Sequence, residues 1–137
     1  MSEIKTFKSL LVANRGEIAS RIIKTANDIG LKTIAVYTDA DAMSPHVSIA
    51  NEAINIGAGP IGDSYLSIKK IIDVAKKAGA DAIHPGYGFL SENHNFSEAC
   101  KSSGIVFVGP SPKSIELMGN KAQAKRIMKN AGVPCVP

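Results

Sequence analysis

Three short stretches carry residue types that could do chemistry. The first is "VANRGEIASRI", residues 12–22, where an apolar run passes into an amphipathic helical pattern through Asn14, Arg15 and Gly16. A strand–loop–helix of this kind is where many folds bind phosphate, because the free N–H groups of a helix start favour an anion. A dinucleotide fingerprint would need three glycines here, and only Gly16 is present. Glu17 already puts a carboxylate into the first turn, complementing the helix dipole and repelling a second anion. The residues read as a tight turn with its own acidic helix start. They do not read as a nicotinamide cradle.

The second stretch is "HPGYGFLSEN", residues 84–93. Pro85 fixes a turn, and Gly86 and Gly88 flank Tyr87. Two glycines around an aromatic let the backbone approach a ligand while the ring offers a flat apolar face. The same spacing also suits a glycine-rich turn whose Tyr87 packs on its neighbours, and spacing alone does not choose. Glu92 and Asn93 lead into the next helix, with Asn93 suited to cap it. His84, at a strand end, reads as a structural histidine.

The third is "LMGNKAQAKRIM", residues 117–128. Asn120 suits a helix cap and Lys121 falls in the first turn, where the dipole disfavours a cation that lacks an anionic partner. A phosphate contact or a solvated surface lysine both fit. Lys125, Arg126 and Lys129 read as a solvated face. Cys100 and Cys135 lack CxxC spacing, and His46, His84 and His94 show no i,i+4 pairing. Neither a zinc site nor a disulfide framework is expected.

These stretches need a scaffold. Short β-rich runs fall at residues 9–13, 33–37, 53–56, 82–84 and 106–108. Between them apolar residues recur at helical spacing. Ile18, Ile22, Ile23, Ala26 and Ile29 form one face before Gly30; Ile68, Ile71, Ile72, Ala75 and Ala78 form another before Gly79. Phe96, Ala99 and Cys100 precede Gly104, and Ala124, Ile127, Met128 and Ala131 precede Gly132. Strands alternating with helices through short connections imply right-handed βαβ crossovers and a parallel sheet. The expected fold is α/β, a Rossmann-like three-layer αβα domain. Its ligand-facing rim gathers the loops after the strands, here 14–17, 39–44, 57–63 and 85–93.

At 137 residues the chain suits one domain, and its 45% hydrophobic and 20% charged content is that of a globular one. Its net charge of +4 is spread through the helices, with no tryptophan and three tyrosines. That argues against a nucleic-acid partner, which concentrates basic residues among aromatics. No apolar run approaches the roughly 20 residues of a membrane span, and the start lacks a signal or transit pattern. A cytoplasmic protein is expected. The chain stops within the apolar run "AGVPCVP", as a fragment of a longer protein would.

The three motifs in this order resemble the amino-terminal domain of biotin carboxylases, the biotin-charging components of acyl-CoA and pyruvate carboxylases. "DADAMSPHVSIANEAINIG", residues 39–57, and "SYLSIKKII", residues 64–72, extend the resemblance over residues 8–137. It implies a pre-ATP-grasp domain over residues 1–120, packed beside the fold that holds the nucleotide. Residues 121–137 would be a helix and linker leading into an ATP-grasp domain that this sequence does not include.

By resemblance, the full-length enzyme uses ATP and bicarbonate to carboxylate biotin. Magnesium, or manganese, neutralises the phosphates; none of these would be held by this chain alone, which is expected to be inactive. Lys121 matches the lysine that contacts ATP, although Asn120 stands where many members have an aspartate. Tyr87 and Gly88 match the loop bordering the biotin pocket, with Glu92 close behind. Arg21, Lys24 and Asp28 match a helix that faces the partner subunit in dimeric members. The implied partners are a biotin carboxyl carrier protein or domain, a carboxyltransferase component and a second copy of the chain. The implied compartment is the bacterial cytoplasm, or the mitochondrial matrix in a eukaryote. Rival readings are another ATP-grasp ligase, which is not expected to carry "HPGYGFLSEN", and a binding or regulatory module that keeps the fold without turnover.

Overall fold

The computed structural model describes residues 7–111 and 113–115. Five strands form one parallel sheet: β1 (Ser9–Val12), β2 (Lys32–Tyr37), β3 (Glu52–Asn55), β4 (Ala82–His84) and β5 (Val106–Phe107). Their spatial order is β3-β2-β1-β4-β5, so the chain winds one way from β1 and then reverses. Every expected strand is present, each with bounds within a residue of the apolar run that announced it. Helices α1 (Gly16–Asp28), α2 (Pro45–Ile49), α3 (Ile68–Ala78) and α4 (His94–Ser102) accompany them.

The sheet is buried on both faces, which is why its central strands are apolar without alternation. On one face Leu11, Ile34 and Ile83 meet Ile71, Ile72 and Ala75 of α3 and Phe96 and Cys100 of α4. On the other, Leu10, Val12, Ala35 and Ala82 meet Ala19, Ile23 and Ala26 of α1. All four β1 residues are buried, whereas none of those of β3 and β5, at the sheet's edges, is.

Local signals set the helix ends. Ser67 and Asn93 cap α3 and α4 by accepting bonds from the amides of Lys70 and Phe96, satisfying N–H groups that have no partner inside the helix. Gly79 closes α3 in the left-handed conformation, at φ 70° and ψ 31°, which glycine adopts without steric cost. Two points differ from the sequence reading. Ile29 is not on the buried face of α1; it caps the helix end, 71% exposed. The helix has stopped turning inward there, so periodicity overextends by one step. And α2, five residues long, is too short for periodicity to mark, although Ser44-Pro45 is a helix-start pair.

Candidate functional site

In an open parallel sheet the crevice for a ligand lies where strand order reverses, at the carboxyl ends of the strands. Here that point is between β1 and β4, and the loops after them are Asn14–Arg15 and residues 85–93. Asn14 is 3% exposed and fills the crevice itself. Its Nδ2 donates to the carbonyls of Pro85 at 2.8 Å and Tyr87 at 2.7 Å, while its Oδ1 accepts from the Arg15 amide at 2.8 Å. Gly86 lies against it with φ 70°, and a Cβ there would come within 2.5 Å of Asn14 Nδ2. A side-chain amide thus ties the loops after β1 and β4 to each other. The lone Gly16, at φ 70°, shapes the turn and nothing more.

Arg15 holds the loop on its other side. Its guanidinium lies 5.6 Å from the ring centre of Tyr65 and 5.8 Å from that of Phe89, and those rings stack at 5.2 Å. Arg15 Nη1 reaches Asp41 Oδ2 at 3.4 Å, and the Tyr65 hydroxyl donates to the same oxygen at 2.7 Å. Thr38 adds a third donor at 3.4 Å. Burial would raise the Asp41 pKa, but the bonds from Tyr65 and Arg15, the arginine's charge and Thr38 outweigh it and hold the carboxyl below its ordinary value. Burial, then the bond to Asp41 and its charge, push the Tyr65 phenol well above its own. Asp41 thus stays ionised and Tyr65 neutral. The cluster joins the loops after β1, β2, β3 and β4.

Between these holds stands Tyr87, 78% exposed. The alternative in which its ring packs on neighbours is excluded by that exposure. The turn beneath it is fixed by Gly86, whose amide donates to His84 Nδ1 at 3.0 Å. Burial lowers the His84 pKa, and an accepting Nδ1 means that its proton sits on Nε2. His84 is structural, as its place at a strand end suggested. Gly88 and Glu92 are exposed on the same loop.

Arg21, Lys24 and Asp28 are all exposed on α1. Arg21 and Tyr87 border one open apolar groove of about 390 Å³, with Phe7, Ile22, Ile29 and Val108. The structure therefore brings one residue of the expected subunit face next to the Tyr87 loop; Lys24 and Asp28 lie off the groove. Lys121 and Cys135 lie outside the described residues. Cys100 is buried in the core, which pushes its thiol up to about 12. Among the described residues there is no group of three His, Cys, Asp or Glu that could hold a metal, and no helix is long and apolar enough to cross a membrane.

The sequence reading missed Asn14 as a clamp and Asp41 and Tyr65 as the hub. A hint was the tyrosine in the loop "GDSYLS", since an aromatic in a loop is costly to leave wet.

Comparison with known proteins matches this arrangement to one family. The profile described as "Biotin carboxylase, N-terminal domain" covers residues 6–115. The chain belongs to the biotin carboxylase N-terminal domain family. Biotin carboxylase 2 of Bacillus subtilis is 56% identical over 131 residues, 96% of this chain and 30% of that protein. The mitochondrial methylcrotonoyl-CoA carboxylase subunit alpha of Dictyostelium discoideum is 53% identical over 135 residues, 98% of this chain and 19% of its own. Among solved structures, the biotin carboxylase domain dimer of Hydrogenobacter thermophilus 2-oxoglutarate carboxylase, in complex with MgADP, ADP and bicarbonate, superposes with a TM-score of 0.93. The two are 51% identical, over 98% of this chain and 29% of that one. The chain thus spans under a third of the length of each of these relatives.

Proposed function

We propose that this domain forms one wall of a biotin carboxylase active site in a longer enzyme. The observation that carries the reading is Tyr87: an exposed ring between two glycines, held at the sheet's switch point in a domain of this family. The enzyme is an ATP-dependent ligase. An oxygen of bicarbonate takes the γ-phosphoryl group of ATP, ADP leaves, and the carboxyphosphate so formed gives its carboxyl group to a ureido nitrogen of carrier-bound biotin as phosphate departs.

The residues of this chain take peripheral parts in that reaction. Tyr87, Gly88 and Glu92 border the biotin pocket, and the flat ring excludes water from it. Lys121 contacts an ATP phosphate. Arg21, Lys24 and Asp28 face a second subunit, a reading supported by the dimer in the Hydrogenobacter structure. The glycine-rich lid, the magnesium ligands and the bicarbonate-binding groups belong to an ATP-grasp domain beyond residue 120. A carrier protein or domain brings the biotin and a carboxyltransferase receives the carboxyl group, in the bacterial cytoplasm or the mitochondrial matrix.

The test compares this chain alone with the same domain joined to the rest of the enzyme. Positioning and electrostatics supply nearly all catalysis in phosphoryl transfer, so the short chain gives no bicarbonate-dependent ADP release and the long one does. Turnover by the short chain contradicts the reading. In the long one, Lys121→Met removes a charge-assisted bond of roughly 1.5–3 kcal/mol and raises KM for ATP about ten- to hundredfold, leaving that for bicarbonate unchanged. An unmoved ATP dependence removes Lys121 from the site.

A further inference from the structure

The Tyr87 ring is 78% exposed and its hydroxyl has no hydrogen-bond partner among the described residues, yet its backbone is tied on both sides. The Asn14 amide holds the carbonyls of Pro85 and Tyr87, at 2.8 and 2.7 Å. The Gly86 amide rests on His84 Nδ1, and Phe89, two residues on, is stacked on Tyr65 with the Arg15 guanidinium against both rings. Phe89 sits at φ 44°, a left-handed conformation that a bulky residue keeps only when its surroundings demand it. Both cross-ties come from adjacent residues of the loop after β1. Tyr87 rides on Asn14 and Arg15.

We infer that Asn14 is a positioning residue for the biotin side of the site, acting through Tyr87, with Arg15 steadying the same loop from beyond it. The inference rests on the proposed function and deepens it. Asn14 suits the task because, among the described residues, it alone donates to both carbonyls flanking Gly86, and because one side-chain amide both donates twice and accepts from the Arg15 amide. Alanine at 14 leaves two carbonyls without that donor. Aspartate keeps the shape and the acceptor but turns an oxygen toward both carbonyls. Either change frees the turn, and the ring then samples positions away from the ligand. A displacement of about 1 Å in a positioning group costs up to a hundredfold. Among the described residues, the Asn14 side chain bonds only to the loops after β1 and β4.

The experiment uses the enzyme that carries this domain with its remaining domains, and free biotin as substrate. Asn14→Ala raises KM for biotin about ten- to hundredfold, while KM for ATP and bicarbonate-dependent ADP release without biotin stay within about twofold, the split expected when only one substrate's wall moves. Tyr87→Ala, a change at an exposed ring that leaves the fold intact, gives the same split. Adding Asn14→Ala to Tyr87→Ala raises the biotin KM no further, because the clamp acts only through the ring. Asn14→Asp repeats the result if the alanine variant melts below the assay temperature. An unchanged biotin KM, an equal rise for biotin and ATP, or full additivity with Tyr87→Ala overturns the inference and leaves the proposed function standing. A wild-type enzyme without bicarbonate-dependent ADP release overturns the proposed function, and the positioning role with it.

Discussion

The two ends of the β1–β4 pair are tied by opposite means. At the amino end, Asp81 accepts from the amides of Lys8 and Ser9 at 2.9 and 3.2 Å, and the Ser9 hydroxyl donates to the Gly79 carbonyl. Asp81 is an exposed carboxylate, so the tie closes the amino ends of two central strands where water can also serve. At the carboxyl end the tie is a buried amide and an arginine stacked on two rings, and what stands exposed is an aromatic that bonds to nothing described. The first arrangement secures the fold. The second holds a backbone rigid so that a side chain can be offered to something else. The proposed function puts the ligand at that second end.

Two glycines sharpen the contrast most strongly. Gly79 and Gly86 both sit at φ 70°, but a Cβ on Gly79 meets nothing within 4 Å and one on Gly86 meets Asn14. Gly79→Ala should cost the left-handed penalty alone, about 1–2 kcal/mol. Gly86→Ala should add an overpacking cost of about 1–3 kcal/mol, giving the lower melting temperature of the two. In an Asn14→Ala background that difference should shrink. Equal costs in the wild-type background would mean that the clamp is looser than its distances imply.

A smaller effect separates the two carboxylates. Asp41 and Asp81 are both held below the ordinary carboxylate value, Asp81 chiefly by the amide of Lys8. A depressed folded pKa gives stability that is present above the unfolded value and is lost as pH falls through the folded one. Stability should therefore decline below about pH 4, and Asp41→Asn should flatten that decline while costing about 1–3 kcal/mol at neutral pH, from bonds made to a charged acceptor. Asp81→Asn, at an exposed site, should change both quantities less. Urea midpoints between pH 2.5 and 7, the usual range for such titrations, read out the ranking.

How much of this was legible in the sequence follows the range of each interaction. Asn93 announced its cap and Gly79 its helix stop because both act within four residues. "HPGYGF" announced a turn because its glycines are adjacent to the ring they free. Asn14 and Gly86 meet across 72 positions, and nothing near either names the other. Asp41 is one of two acids in the loop of residues 39–44, and its partners Arg15 and Tyr65 lie 26 and 24 residues away. Ile29 misled for the opposite reason: it keeps the local period of α1 but falls where the helix has ended.

The most direct test of the central claim is amide exchange on this 137-residue chain, wild type against Asn14→Ala. The Gly86 and Ser91 amides, bonded to His84 Nδ1 and the Gly88 carbonyl, report the Tyr87 loop. The Lys8 and Ser9 amides on Asp81 report the opposite end. The account predicts faster exchange at Gly86 and Ser91 with Lys8 and Ser9 unchanged. Uniform acceleration at both ends, or no change at Gly86 and Ser91, would contradict it.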